Sequence, residues 1–253
     1  MKRVMLTVAY DGTGYHGWQI QDNGATVEGE LTKAVNKLTN EVNELIGGSR
    51  TDAGVHAMGN VAVFDTECSI PGEKFSYALN QRLPEDIRVI KSEEVAPDFH
   101  PRHCDSVKTY EYHIYNAEFP MPVKRLYAHF SYSKFDLEAM NTAASFIVGE
   151  HDFSSFCAAG AQVDSKIRTV YSCTVSRNDD EIIICVKGNG FLYNMVRIIA
   201  GTLMEVGRGH IKPEKISGII EAKERSKAGP TAPACGLILK NISFYLPGTM
   251  PNS

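Results

Sequence analysis

Apolar and polar residues alternate from Val4 to Tyr10, which puts Val4, Leu6, Val8 and Tyr10 on one face. That is the period of a half-buried strand. From Thr26 the period changes. Val27, Leu31, Ala34, Val35 and Leu38 recur at helical spacing, and Thr26 stands where an N-cap accepts the first backbone N–H groups. Glu41–Ile46 and Asn60–Asp65 read as short strands, Glu73–Leu83 as a helix stopped by Pro84, and Ile87–Val95 as a strand. The order is β-α-β-β-α-β, the split βαβ arrangement.

That order returns in the second half, without a sequence repeat. Lys108–Asn116 is a strand with Tyr110, Tyr112 and Ile114 on one face, and Asp136–Val148 is a helix. Arg168–Arg177 and Glu181–Lys187 form a hairpin around Asn178-Asp179-Asp180. Phe191–Val206 and Pro213–Arg225 are helices, and Leu237–Tyr245 is the closing strand. The expected class is α+β, with two ferredoxin-like domains over residues 1–105 and 106–253. A cleft between two such units is the natural place for a site.

Composition narrows the class. The chain has 253 residues, 43 % hydrophobic and 22 % charged, as in a globular protein. Its aliphatic runs, such as Ile182 to Val186, fall far short of the ~20 apolar residues of a membrane helix. Met1-Lys2-Arg3 precedes a run broken by Asp11, which reads as a buried strand rather than a signal peptide. Six scattered cysteines at 68, 104, 157, 173, 185 and 235 form no CxxC pair and point to reduced thiols in a cytoplasm. The net charge of −4 argues against bulk, non-specific nucleic-acid binding. Residues 1–105 carry 10 basic and 16 acidic side chains, against 16 and 14 in residues 106–253. Such a split is ordinary solubility charge or, if a polyanion binds, places more of its phosphate contacts on the second half.

Gly12-Thr13-Gly14-Tyr15-His16-Gly17 matches GxGxxG after a strand, but no helix pattern starts before Thr26. A dinucleotide site needs that helix at once. A turn leading to a partly buried Trp18 is the better account. His100, Pro101, Arg102 and His103 invite a metal reading that no carboxylate or cysteine set completes. Ser49-Arg50-Thr51-Asp52-Ala53-Gly54-Val55-His56-Ala57 is different. Asp-x-Gly is ordinary turn chemistry, yet Arg50 and His56 flank Asp52 in one loop between two strands, where function is often carried.

With that loop the chain resembles the TruA family of tRNA pseudouridine synthases. The family signature is matched from Arg50 to Ala57, with Ser49 in place of the commoner glycine. The resemblance continues through Tyr10-Asp11-Gly12, Gly17-Trp18-Gln19, Phe99-His100-Pro101-Arg102, Lys108-Thr109-Tyr110-Glu111-Tyr112 and His151-Asp152-Phe153-Ser154-Ser155-Phe156. It ends with Phe191-Leu192, Met195-Val196-Arg197, Gly229-Pro230-Thr231-Ala232-Pro233 and Gly236-Leu237. Asp105 departs from the family's small apolar residue.

The resemblance implies two ferredoxin-like domains joined in one antiparallel sheet with helices on one face, and a homodimer. It also implies isomerisation of uridine to pseudouridine at positions 38 to 40 of the tRNA anticodon stem-loop. Neither cofactor nor metal is implied. Asp52 is matched to the nucleophile. Arg197, on an otherwise apolar helix, either snorkels or pairs with a carboxylate; the resemblance implies pairing with Asp52. Tyr110 is an ordinary sheet-face aromatic or, by the resemblance, the ring that stacks on the extracted uracil. Leu237 walls the pocket or packs the core. Arg50 fills the space left by the flipped base or holds its phosphate, or is a solvated loop arginine. His56 orients the loop. Lys212, Lys215, Lys223, Arg225 and Lys227 are candidate phosphate contacts. Two other classes share some features: a non-catalytic RNA-recognition module, whose aromatic strand motifs are missing here, and a glycoside-processing enzyme, which would call for a second carboxylate.

Overall fold

The computed structural model describes residues 1–160 and 163–245. Its first half runs β1 (Lys2–Tyr10), α1 (Val27–Thr39), β2 (Ile46–Gly47), β3 (His56–Thr66), α2 (Phe75–Leu79) and β4 (Ile87–Val95). There follow β5 (Ser106–Tyr115), β6 (His129–Phe130), α3 (Leu137–Ser145), β7 (Gly149–Asp152), β8 (Ile167–Asn178) and β9 (Glu181–Gly188). The chain continues through α4 (Met195–Gly207), α5 (Lys215–Ala222) and β10 (Leu237–Phe244). The architecture is α+β, in two units. One is Met1–Asp105 together with the chain from Leu239, the other Ser106–Ile238. Among the described residues no helix is long and apolar enough to cross a membrane.

In the first unit the strand order is β4-β1-β3-β10, with β2 also on β3. β1 runs antiparallel to both neighbours. Val4, Leu6 and Val8 of β1 are fully buried, as are Val27, Leu31 and Val35 of α1. Alternation on the strand and helical spacing on α1 thus supply the two sides of one core. Phe64 meets Phe75 edge-on at 5.4 Å. Near its end β1 shifts register, so that Tyr10 falls opposite Ala57. Such bulges re-aim the chain at strand ends, and here it is the loop after Tyr10 that is re-aimed.

The second unit orders its strands β5-β9-β8-β7, all antiparallel, with the two-residue β6 parallel to β5. Tyr112 and Ile114 of β5 and Ile182, Ile184 and Val186 of β9 are buried, together with Met140 and Ala143 of α3 and Ile198, Ile199 and Leu203 of α4.

Several boundaries differ from the periodicity, each for a local reason. The expected helix Glu73–Leu83 is a 3-10 turn and the five-residue α2. The expected strand Glu41–Ile46 shrinks to β2, because Asn43 is tied to the Asn36 and Thr39 side chains of α1. The helix expected from Phe191 starts at Met195, since Asn194 is left-handed at φ 58°. The one expected through Arg225 stops at Ala222, before left-handed Lys223. β6 and β7 were not legible, and β3 begins at His56, four residues before the expected start.

One device recurs in both units. Asn80, just after α2, donates to the Val89 carbonyl at 2.9 Å and accepts from the Val89 N–H at 2.8 Å. Asn141 of α3 makes the same pair of bonds with Val175 of β8, both at 2.8 Å. Each amide side chain imitates a neighbouring strand and satisfies a backbone edge that no strand covers. Asn80→Ala leaves one donor and one acceptor of β4 without their partner. We expect a loss of about 1–3 kcal/mol in thermal unfolding, with Asn80→Asp intermediate because it keeps only the acceptor.

Candidate active site

Asp52 lies in the turn between β2 and β3. Its carbonyl accepts the Val55 N–H at 3.1 Å, and Gly54 takes a positive φ of 76° to close the turn. Asp52 itself is half-buried, between buried Thr51 and exposed Ala53. The turn does not stand alone. The loop after β1 lies against it, with the Trp18 N–H on the Thr51 carbonyl at 3.0 Å and the Gly54 N–H on the Tyr15 carbonyl at 3.3 Å.

Two glycines permit this close approach. A Cβ at Gly12 would occupy the Val55 carbonyl, and one at Gly17 would lie 2.6 Å from the Thr51 oxygen. Gly17 also holds φ at +92°, a region costly to residues with a side chain. Gly14 has open space instead. The first and last glycines of the GxGxxG pattern are therefore a packing device for the Asp52 turn. Trp18, expected to be partly buried, is 1 % exposed, with its ring 5.9 Å from that of Tyr10.

Side chains complete the clamp. The Tyr10 and Thr51 hydroxyls share a hydrogen bond of 2.7 Å. Asn60 donates to the Tyr10 oxygen at 3.2 Å and to the Ser49 carbonyl at 2.9 Å. His56 is 4 % exposed, and its Nδ1 accepts the Gly12 N–H at 3.1 Å. The same Nδ1 lies 3.2 Å from Asp11 Oδ1. His56 thus holds the clamping loop from inside the fold. Arg50 is exposed at the other side of the turn. Tyr10 and Asn60 were missed by sequence reasoning, although Tyr10 stands in the Tyr10-Asp11-Gly12 motif.

The second unit carries the other expected residues. Tyr110 of β5 is 6 % exposed and meets Phe191 edge-on, with centroids 5.3 Å apart at 88°. Arg197 lies in the first turn of α4. Its Nε donates to the Ala232 carbonyl at 2.8 Å and its Nη1 to Asn194 Oδ1 at 2.6 Å. The Ala232 N–H returns a bond to the Arg197 carbonyl at 3.1 Å. These bonds fix the plane of the guanidinium, which a freely snorkelling arginine would not need. Tyr112 donates to the Pro233 carbonyl at 3.0 Å, and burial pushes its phenol well above the usual range. The segment before Leu237 is thereby tied both to α4 and to β5. Leu237 itself is 4 % exposed. Phe191 stands in the Phe191-Leu192 motif, whereas Asn194 is the residue sequence reasoning did not single out; a left-handed asparagine before a helix leaves little signal.

Three of the cysteines are poor competitors as nucleophiles. Burial raises the thiols of Cys157 and Cys235, and pushes Cys173 up to about 12, disfavouring the reactive thiolate.

Comparison with known proteins matches this arrangement of motifs. The family model described as tRNA pseudouridine synthase covers residues 6–103 and 143–245. A tRNA pseudouridine synthase A of Thermoanaerobacter sp. (strain X514) is 51 % identical over 245 residues, which is 96 % of this chain and 100 % of the relative. The protein of that name from Acetivibrio thermocellus is 48 % identical over 244 residues, with the same two coverages. A tRNA pseudouridine synthase A 2 of Clostridium perfringens is 45 % identical, over 97 % of this chain and 100 % of its own. With the family model and near-complete relatives agreeing, the chain belongs to the tRNA pseudouridine synthase family.

Proposed function

We propose that this protein isomerises uridine to pseudouridine at positions 38, 39 and 40 in the anticodon stem-loop of tRNA, with Asp52 as the nucleophile. In this reaction the N1–C1′ bond breaks, the uracil turns, and a C5–C1′ bond forms. The proton on C5 leaves and N1 gains one, so nothing is oxidised, reduced or hydrolysed. A carboxylate suits the step because it attacks a carbon that develops positive charge. The observation that carries the reading is the seat of the Asp52 turn, whose residues Arg50 to Ala57 match the family signature while the backbone of the loop after β1 holds it.

The other roles follow from chemistry. A base in a stem must leave its stack to be reached. Tyr110, backed by Phe191, offers a flat ring for the extracted uracil, and Leu237 an apolar wall. Arg50 holds the phosphate of the flipped nucleotide or fills the space it leaves. Arg197 favours the charged form of the Asp52 carboxylate once bound RNA shields the half-buried site from water, where burial alone would disfavour the charge. We further propose a cleft between two ferredoxin-like domains as the seat of the reaction, and a homodimer in a cytoplasm as the working state.

Incubation with unmodified tRNA, followed by mapping of pseudouridine, tests the reading. Product is expected at positions 38 to 40 and not elsewhere in the anticodon arm. Asp52→Ala is expected to abolish turnover while leaving tRNA affinity within a few-fold, because phosphate contacts over a wide surface supply most of the affinity. Residual turnover at even a tenth of wild type would remove Asp52 from the nucleophile's role.

The ion pair has its own test. Arg197→Met strands the carboxylate and should cost several kcal/mol of stability or drive it to take up a proton. In Asp52→Asn with Arg197→Met part of that loss should return, since neither charge remains. Thermal unfolding of the wild type, the two single variants and the double variant measures the coupling. Additive losses would show that the two side chains do not act on each other.

A further inference from the structure

Beside the Asp52 turn, within the first unit, lies a cavity of about 360 Å³. That is within the roughly 300–1,000 Å³ of small-molecule sites. Its lining includes Arg50, Arg102, Trp18, Thr32, Glu28 and Glu44. We propose that this cavity is a nucleotide subsite, separate from the place of the reacting uracil, that holds a neighbouring residue of the RNA strand. The proposal rests on the reading of the protein as a tRNA-modifying enzyme.

Three features select a nucleotide. First, Arg50 and Arg102 both line the cavity and are exposed, and neither guanidinium has a hydrogen bond or ion pair among the described residues. Two such forks are suited to a phosphate, which they grip through paired charge-assisted bonds. Second, the cavity also presents carboxylates. Glu28 already accepts the Ile20 N–H at 3.0 Å, and Glu44 is exposed. Carboxylates repel a bare anion, so the ligand must bring hydrogen-bond donors as well, such as ribose hydroxyls or an exocyclic amino group. Third, the indole of Trp18 lines the cavity, with its Nε1 closed off against Gly47. What it offers a ligand is the edge of a flat aromatic wall, suited to a base. One molecule with an anionic end, hydrogen-bond donors and a flat base is a nucleotide. Arg50, two residues before Asp52, places the subsite on the path of the strand that carries the target.

The sequence contains a single tryptophan, so Trp18 reports on the cavity by itself. The nitrogen-15 indole resonance and the fluorescence of Trp18 are followed while an unmodified anticodon stem-loop RNA, or inorganic phosphate at equal ionic strength, is added. Binding of the RNA is measured in parallel by anisotropy of a labelled strand. The RNA should shift the indole resonance saturably, and phosphate should not. In Asp52→Asn the shift should persist. In Arg102→Ala it should weaken by roughly ten-fold or more in RNA concentration, with kcat for pseudouridine formation held and KM raised. The proposal is overturned if bound RNA leaves the indole unmoved, if Arg102→Ala keeps the full response, or if phosphate alone reproduces it. Pseudouridine yield on tRNA is scored separately, so failure of the subsite and failure of the enzymatic reading give different results.

Discussion

The close seating of one loop backbone on another is the constraint on which the site in the first unit depends. The chain from Asp11 to Trp18 lies against the turn from Thr51 to Val55 at distances that exclude a Cβ at Gly12 and Gly17. Backbone hydrogen bonds run across this seam in both directions. A turn so held loses the freedom that surface turns ordinarily keep. The cost of ordering it is met in folding, ahead of any encounter with substrate, which is how a reactive group is made ready for its step. The buried side chains at the seam serve the same end. Tyr10, Thr51 and Asn60 form one connected set of hydrogen bonds beneath the turn, while His56 separately holds Gly12, and connected buried networks specify one arrangement strongly.

The second unit solves a related problem with different means. An arginine has many rotamers, and a guanidinium that must present one edge has to be stripped of most of them. Here the Ala232 carbonyl and the Asn194 side chain take two of its donors. The peptide of Ala232 also bonds back to Arg197 itself. The helix, the left-handed asparagine before it and the Gly229–Pro233 segment therefore act together on one side chain. Tyr110 is fixed by simpler physics, its ring standing edge-on to Phe191 inside a nearly closed apolar surface.

Much of the fold could be read from residue patterns alone. The alternation of Val4, Leu6 and Val8 and the spacing of Val27, Leu31 and Val35 reflect burial directly, and Thr26 caps α1 as its position implied, accepting the Gly29 N–H at 3.3 Å. What escaped was decided by side-chain to backbone bonds seven to nine residues apart, which the spacing of apolar residues does not report. Helix α2 ends early where Asn80 turns to β4, and Asn43 keeps the chain before β2 from pairing. The position of Asp52 in a loop between strands was legible, as was the fit of its neighbours to a family signature. The purpose of Gly12 and Gly17 was not, because a glycine's reason lies in what its missing side chain makes room for, some forty residues away.

That room is also the most direct handle on the account. Single-turnover pseudouridine formation is to be compared for Gly12→Ala, Gly14→Ala and Gly17→Ala, each checked for an intact fold by circular dichroism. If the seam positions Asp52, Gly12→Ala and Gly17→Ala lose roughly ten-fold or more in rate, a barrier change of about 1.4 kcal/mol, while Gly14→Ala, which meets nothing within 4 Å, stays close to wild type. Wild-type rates in folded Gly12→Ala and Gly17→Ala would contradict it, as would an equal loss in all three.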